Sequence, residues 1–216
     1  MSKPEESWEL LKKWFPQLSN EAWVQLREYT DLLKEWNAKI NLVSRKDMDR
    51  LETKHLAHCL TMTNFLRLMP KTQILDVGTG GGLPGIPLAI CYPQAQFTLM
   101  DSIGKKVMVV EDMVEKLGLT NVLVRRGRVE ELPKKRTYDF IIGRAVTALP
   151  TFFSWVHNKI RKGARNSPAN GILYLKGGDY TEELKTSGLH PAKIWNLDEL
   201  FPQAELGEKY LIHFKI

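Results

Sequence analysis

The sequence predicts an α/β fold, in which a mostly parallel β-sheet carries helices on both faces and follows an N-terminal helical extension. From residue 73 onward, short apolar runs alternate with amphipathic segments, which is typical of βαβ units. A glycine-rich segment, residues 78–85, follows the first of these runs directly. The 216 residues, 43% hydrophobic and 26% charged, favour one folded domain with an appendage over a disordered chain. We assign residues 1–70 to the extension and residues 71–216 to the sheet domain.

The extension is expected to contain three helices. Aromatic and leucine side chains recur at three- and four-residue steps in residues 7–15, and again between residue 20 and about Asn37. Ser19 offers a start for the second helix. A third helix is predicted over residues 52–68. We interpret the aromatic stripe of the extension as core packing.

The sheet domain is predicted from apolar runs that are separated by helices and turns. A helix is expected over residues 105–117 and another over residues 152–160, while residues 162–170 form a basic, turn-rich loop. Further strands are expected within residues 192–216. The predicted strands are residues 73–77, 97–101, 122–124, 140–142, 172–175 and 210–215.

The glycine-rich segment predicts a nucleotide-binding turn between a strand and a helix. Gly80, Gly82 and Gly85 match the spacing of a dinucleotide motif, so a site for NAD remains open at this stage. Prolines 84 and 87 remove backbone N–H donors that a phosphate would use. This loss of donors favours a ligand without phosphate, such as S-adenosylmethionine.

Two acidic residues at strand ends are candidates for binding such a ligand. Asp76 lies two residues before Gly78, where a carboxylate would repel a pyrophosphate and attract the cationic methionine end of S-adenosylmethionine. Asp101 ends the next strand, 23 residues after Gly78. A carboxylate there can accept hydrogen bonds from both ribose hydroxyls of either cofactor.

Residues 74–89, with the sequence ILDVGTGGGLPGIPLA, resemble the bacterial small-subunit ribosomal RNA guanine-N7 methyltransferase family. The resemblance covers most of the chain but is loose in the C-terminal third. One departure follows His55, where the family often has Leu-Asp-Ser and this chain has Leu56-Ala57-His58. Other segments resemble the family in the same order, namely Trp36-Asn37 with residues 40–42, Lys54-His55, residues 99–102 with 104–106, residues 128–131, Arg144-Ala145 and residues 175–177.

The resemblance implies a class I S-adenosylmethionine-dependent methyltransferase fold with a seven-stranded, Rossmann-like sheet. It implies methyl transfer to N7 of a guanine in the decoding region of small-subunit (16S) rRNA. The family's donor contacts correspond to Gly78, Leu83, Val129, Glu130 and Arg144. With the residues of the glycine-rich segment, the full candidate donor set is Asp76, Gly78, Gly80, Gly82, Leu83, Asp101, Val129, Glu130 and Arg144.

Arg144 is also the candidate catalytic residue. It follows the apolar run 140–142, and ligands of such sheets gather outside the strand ends. Its charge could bind the methionine carboxylate or orient the guanine edge, and a surface ion pair is the alternative interpretation. Guanine N7 has an available lone pair, so positioning within about 3 Å of the methyl group replaces strong base catalysis.

The net charge of +6 suits a polyanionic partner, here small-subunit rRNA or the small ribosomal particle. The candidate RNA contacts are Arg125, Arg126, Arg128, Lys162 and Arg165, which we expect in loops after strands at the rim of the site. Phosphate contacts of this kind would make affinity depend on salt. The rival functions are a small-molecule methyltransferase, an NAD-binding oxidoreductase and a non-catalytic RNA-binding module.

The remaining expectations concern metal, compartment and assembly. His55 and His58 stand three residues apart beside Cys59, but no third and fourth ligand is placed by spacing, so no metal is expected. Residues 1–7 carry no apolar region of a secretory signal, and no apolar run reaches the ~18 residues of a membrane span. The two cysteines favour a reduced, cytoplasmic setting. The chain is expected to be a monomer.

Overall fold

Seven strands form one sheet in a computed structural model that describes residues 4–204 and 206–216. The strands are β1 (Gln73–Val77), β2 (Gln96–Asp101), β3 (Val122–Arg126), β4 (Phe140–Arg144), β5 (Gly171–Gly177), β6 (Lys193–Asn196) and β7 (Lys209–Lys215). They lie side by side in the order β3-β2-β1-β4-β5-β7-β6. β1 to β5 pair in parallel, and β7 is antiparallel to both β5 and β6. The strand order reverses between β1 and β4, so a crevice opens at their carboxyl ends.

Helices cover both faces of the sheet, and most of them coincide with predicted ones. Ser19 caps α2 as expected, because its hydroxyl accepts a hydrogen bond of 3.2 Å from the backbone N–H of Ala22. The predicted helix over residues 152–160 begins earlier, at Leu149 with Pro150 in its first turn, and ends in a 3₁₀ turn over His157–Lys159. The helices are α1 (Pro4–Trp14), α2 (Asn20–Lys39), α3 (Ala57–Leu60), α4 (Gly85–Cys91), α5 (Gly104–Lys116), α6 (Leu149–Val156), α7 (Thr181–Ser187) and α8 (Leu197–Leu200).

The predicted helix over residues 52–68 is confirmed only in part, because the helical run ends at Asn64 and is not a regular α-helix. The chain forms a π-helical turn over Leu51–Leu56, the short α3 and a 3₁₀ turn over Thr61–Asn64. The hydroxyls of Thr61 and Thr63 each donate a 2.7 Å hydrogen bond to a carbonyl three residues earlier, which competes with regular helix geometry. Beyond it, the backbone of Arg67 pairs with Ser167 as a short bridge instead of continuing a helix.

The extension packs directly on the glycine-rich segment. The Tyr29 hydroxyl donates a 2.8 Å hydrogen bond to the carbonyl of Gly81, and a Cβ on Gly81 would lie 2.8 Å from Leu33. Trp36 donates a 2.7 Å hydrogen bond to Asp112 on α5. One apolar cluster therefore includes residues of the extension and one face of the sheet, while α6 covers the other face. The division at residue 70 stays a prediction.

The remaining differences from the sequence-based prediction lie at the edge strand β3 and in the C-terminal part of the chain. β3 is an edge strand in which Leu123 is 63% exposed. The helix α7 and the short strand β6 were not predicted individually, and they lie where the sequence resembles the family only loosely. No helix in the described ranges is long and apolar enough to cross a membrane. The expectation about a secretory signal also involves residues 1–3, which lie outside the described residues.

Candidate active site

The glycine-rich segment forms a turn that connects the end of β1 to α4. Gly78, Gly80 and Gly82 have φ values of 69°, 59° and 88°, a left-handed conformation in which side chains with a Cβ are strained. A Cβ on Gly78 would also lie 3.0 Å from Val146, on the loop after β4. The glycines therefore allow a tight turn and a close approach between the loops that follow β1 and β4.

Asp76 is fully buried at the end of β1. Its Oδ2 accepts hydrogen bonds from the Thr79 hydroxyl at 2.7 Å and the Gly85 N–H at 3.0 Å, while Oδ1 has no partner among the described residues. Burial raises the pKa of Asp76 to about 7, although these hydrogen bonds and the charge of Arg144 oppose the shift. A cationic ligand group nearby would relieve this burial cost.

Asp101, at the end of β2, fixes the turn and lines a groove. Its Oδ2 accepts a 3.0 Å hydrogen bond from the N–H of Gly80, and its Oδ1 accepts one of 2.9 Å from the N–H of Ile103. The groove has a volume of about 140 Å³. Its lining includes four of the predicted donor residues, Gly78, Asp101, Val129 and Glu130. The other predicted turn residues, Gly80, Gly82 and Leu83, lie in the turn beside the groove and are not among its lining residues.

A larger cavity of about 570 Å³ lies at the carboxyl ends of β4 and β5. Val146 lines both this cavity and the groove, so the two spaces adjoin. A cavity of this volume is large enough for one small organic group such as a nucleobase. Its charged lining residues are Asp47 and the four cations Lys54, Arg144, Lys176 and Lys209.

Arg144 lines this larger cavity and is not among the residues that line the groove, although its charge acts on the buried Asp76. Its Nη1 lies 2.9 Å from Nδ1 of His55, and its buried Nε has no hydrogen-bond partner. No carboxylate pairs with Arg144 within the described part of the chain, so the surface ion pair considered from the sequence is not present. Arg144 therefore keeps unused donors in the cavity.

The backbone after Arg144 is held in a tight turn. Ala145 has φ 55°, which is uncommon for a residue with a side chain and typical of functional sites. The hydroxyl of Tyr174 on β5 holds this turn, since it accepts from the N–H groups of Val146 and Thr147 at 3.0 and 3.1 Å. It also donates a 2.7 Å hydrogen bond to the Thr147 carbonyl. The carboxyl end of β4 is thus fixed by β5.

His55 is a cavity residue that the sequence-based candidate set did not include. Its Nε2 lies 3.4 Å from Asp47, whose other oxygen pairs with Lys54. Burial, with the charge of Arg144 as a second cause, lowers the pKa of His55 to about 4. The resemblance at Lys54-His55 was the one sequence signal for this residue, because its contact with Arg144 joins positions 89 residues apart.

The five predicted RNA contacts lie at opposite ends of the strands, three at the carboxyl ends and two at the amino ends. Arg125, Arg126 and Arg128 are exposed at the carboxyl end of β3, and Arg128 lines the groove. Lys162 and Arg165 precede β5, and Arg165 donates a hydrogen bond to the carbonyl of Pro70, before β1. The expectation that these two residues lie at the rim of the site is wrong, because a crossover helix has returned the chain to the amino ends of the strands.

No group of three or more His, Cys, Asp or Glu residues in the described chain is arranged to hold a metal ion. His58 and Cys59 are instead buried side chains. Burial and the charge of Arg144 keep the pKa of His58 well below its usual value. His58 therefore contributes a neutral surface to the larger cavity.

A family model described as GidB, rRNA small subunit methyltransferase G, matches residues 23–197. The chain belongs to this family. A relative from Christiangramia forsetii named ribosomal RNA small subunit methyltransferase G is 48% identical over 95% of both chains. A relative of the same name from Bacteroides fragilis is 38% identical over 96% of this chain and 99% of its own. The resemblance noted in the sequence is confirmed.

Solved structures support the fold of this rRNA small subunit methyltransferase G family member. A SAM-dependent methyltransferase from Aquifex aeolicus superposes with a TM-score of 0.55 at 17% identity, over 85% of this chain and 96% of its own. The [4+2]-cyclase SpnF superposes with a TM-score of 0.58 at 14% identity, over 92% and 97%. The class I methyltransferase fold with a helical extension is confirmed, and the different name of the cyclase shows that this fold alone does not fix the reaction.

Proposed function

We propose that the protein transfers a methyl group from S-adenosylmethionine to N7 of a guanine in the decoding region of small-subunit rRNA. Membership of the rRNA small subunit methyltransferase G family supports the class of reaction and the RNA substrate. The N7 specificity is the finer part of the proposal. It rests on the cavity beside Arg144, in which the one carboxylate among the described lining residues is paired with Lys54 and both histidines have lowered pKa values, so neither is a strong base.

The donor would bind at the turn and groove formed after β1, β2 and β3. S-adenosylmethionine supplies a methyl group on a positively charged sulfur when it is bound. Asp101 lines the groove and has lone pairs left for the ribose hydroxyls beyond its two backbone hydrogen bonds. Asp76 lies behind the turn with one unpartnered oxygen, so its carboxylate favours the cationic methionine end, directly or through water.

The acceptor cavity suits an atom that reacts without losing a proton. Asp47 is held by Lys54 and His55, and the low pKa of His55 leaves its ring neutral but weakly basic. Glu183, which is not among the lining residues of the cavity, pairs with the lining residue Lys176 at 2.5 Å. The N7 lone pair of guanine forms the new bond to carbon while the carbon–sulfur electron pair passes to sulfur, and no proton moves. The protein's task is then to hold N7 in line with the methyl group.

The charge of the cavity also suits an RNA strand. Lys54, Lys176 and Lys209 surround the space in which the base would lie. Arg125 and Arg126 end β3, and Arg128 follows it in the lining of the donor groove. Phosphate contacts to these side chains give affinity that falls with salt and depends little on sequence. Selection of one guanine then requires an unstacked base that can enter the cavity.

The test is transfer of tritium from labelled S-adenosylmethionine to small subunits from a strain that lacks its own enzyme. We expect label in N7-methylguanosine after nuclease digestion, and none with subunits from a methylated strain. Naked rRNA in a parallel reaction identifies the form of the substrate. Absence of transfer to either form, together with NAD binding by calorimetry, would refute the proposal and favour the oxidoreductase.

Replacing Tyr29 with phenylalanine should weaken donor binding. The change removes the 2.8 Å hydrogen bond to Gly81 and leaves that buried carbonyl unpaired. We expect about 1–2 kcal/mol lower stability and several-fold weaker binding of S-adenosylmethionine, measured by denaturation and calorimetry. Trp36→Phe is the matched control, because it removes the α2 bond to Asp112 without touching the turn. Equal donor affinity in wild type and Tyr29→Phe would contradict a role of α2 in shaping the turn.

Donor affinity should rise with pH between about 6 and 8. Asp76 has a pKa of about 7 and must be ionised to attract the cationic donor, so binding below pH 7 releases its proton. The same raised pKa means that Asp76 stabilises the ligand-free fold at low pH, and this contribution is lost as pH rises through about 7. Calorimetry in buffers of different ionisation enthalpy measures the released proton. The Asp76→Asn variant should lose this proton release, because an amide has no proton to give up in this pH range.

A further inference from the structure

We propose that His55 is a positioning residue that, together with Asp47, orients Arg144 so that its free donors select the O6 atom of the target guanine. The inference rests on the proposed function and deepens it, since it names what distinguishes guanine from adenine at that site. Asp47 and His55 come from the segment after α2, whereas Arg144 ends β4, so two separate parts of the chain meet in the cavity.

The hydrogen-bond geometry permits one arrangement of protons. A guanidinium only donates, so Nδ1 of His55 must accept from Nη1 of Arg144 across the 2.9 Å contact. The ring proton is then on Nε2, which faces the carboxylate of Asp47 at 3.4 Å. Lys54 pairs with the other oxygen of Asp47 and keeps that carboxylate ionised. The low pKa of His55 agrees with a neutral ring in this position.

A neutral partner gives Arg144 properties that a carboxylate would not. The imidazole fixes the guanidinium through one nitrogen without neutralising its charge. Of the guanidinium nitrogens, Nη1 alone has a hydrogen-bond partner among the described residues, and Nε is buried, so Nη2 is the donor left for an incoming group. A carboxylate in place of His55 would bind the guanidinium through two hydrogen bonds and compete with the substrate.

The edge of the target base determines which group these donors meet. Guanine presents two acceptors on this edge, N7 and O6, whereas adenine presents N7 beside an amino group. N7 must stay free to attack the methyl group, so O6 is the acceptor that Arg144 can use. Adenine would instead place N–H donors against N–H donors. Correct orientation of Arg144 therefore both places N7 and rejects adenine.

The experiment compares two substitutions of His55 in the full-length protein. His55→Asn places an amide oxygen close to the position of Nδ1 and keeps an acceptor for Arg144, while His55→Leu removes it at similar volume. We expect single-turnover transfer to small subunits, at saturating donor, to slow by about 10–100-fold in the leucine variant and by less than about 5-fold in the asparagine variant. Donor affinity by calorimetry should stay within about 2-fold of wild type in both. His190→Leu, an exposed histidine outside the cavity lining, is the control for general effects of losing a histidine.

A second arm tests selectivity with subunits in which the methylated guanine is replaced by adenine. Transfer to adenine should be at background in the wild type, and the guanine-to-adenine ratio should fall in His55→Leu because only the guanine reaction slows. Unchanged transfer in His55→Leu, equal loss in both variants, or a loss confined to donor affinity would each overturn the inference. A wild type that transfers nothing would instead refute the proposed function, so the two failures are distinguishable.

Discussion

Replacing Arg144 with alanine is expected to slow methyl transfer by about 10²–10³-fold, the usual loss when one preorganised donor is removed from a reacting group. Arg144 lies in the larger cavity with unused N–H donors and no carboxylate partner in the described chain, so the substitution removes a group that the fold does not need. Donor affinity and thermal stability should change little. Single-turnover kinetics, calorimetry and thermal denaturation measure the three quantities separately.

The same variant has a readout that does not depend on activity. The charge of Arg144 is the second cause of the low pKa of His55, so its removal should raise that pKa from about 4 toward the ordinary value. An NMR titration of the His55 ring follows this change. Arg144→Lys is the matched control, since it keeps the charge but loses the planar arrangement of donors. A tenfold loss of donor affinity in both variants would assign Arg144 to the methionine carboxylate, the other possibility raised by the sequence.

Replacing Gly85 with alanine should disrupt the donor turn and the fold together. Gly85 begins α4, and a Cβ there would lie 2.2 Å from Leu99 and 2.6 Å from the Oδ2 of Asp76. Both neighbours are buried, so neither can move aside without disturbing the core. We expect about 1–3 kcal/mol lower stability, or a Tm lower by about 2–12 °C, and at least tenfold weaker donor binding.

Gly104→Ala is the matched control for this prediction. Gly104 also begins a helix, α5, but the atoms nearest to its added Cβ belong to the guanidinium of Arg126, 3.2 Å away at the end of an exposed side chain. Stability and donor binding should therefore stay close to wild type. A Gly85→Ala protein with wild-type Tm and donor affinity would show that the close packing of Gly85 against Asp76 is dispensable.

The features that were predicted correctly depend on residues close together in the chain. The turn at Gly78, Gly80 and Gly82 requires glycine for its own backbone conformation, and Ser19 caps α2 through a residue three positions away. Apolar runs likewise located the central strands, because buried parallel strands are apolar on both faces. Local chemistry of this kind can be recognised in a single sequence.

The features that were missed depend on distant parts of the chain. The segment at residues 51–64 contacts α1 and α4 and leads into the bridge between Arg67 and Ser167, and no periodicity in the sequence records these long-range contacts. The role proposed for His55 depends on its contact with Arg144, which lies 89 residues away in the sequence at the end of β4. The positions of Lys162 and Arg165 were predictable in principle, since residues between a crossover helix and the next parallel strand lie at the amino edge of the sheet.

The edge strand β3 has a consequence for association between copies of the protein. An exposed edge with an apolar residue such as Leu123 can pair with another strand and nucleate aggregates. Arg125 and Arg126 lie two and three residues after Leu123 on the same strand and are exposed, so their repulsion opposes such pairing whether or not they also bind RNA. Neutralising them should therefore favour self-association, and under the proposed RNA-binding role it should also weaken RNA binding. Light scattering on such variants without RNA measures the self-association alone, so that a loss of RNA affinity can be told apart from precipitation of the protein.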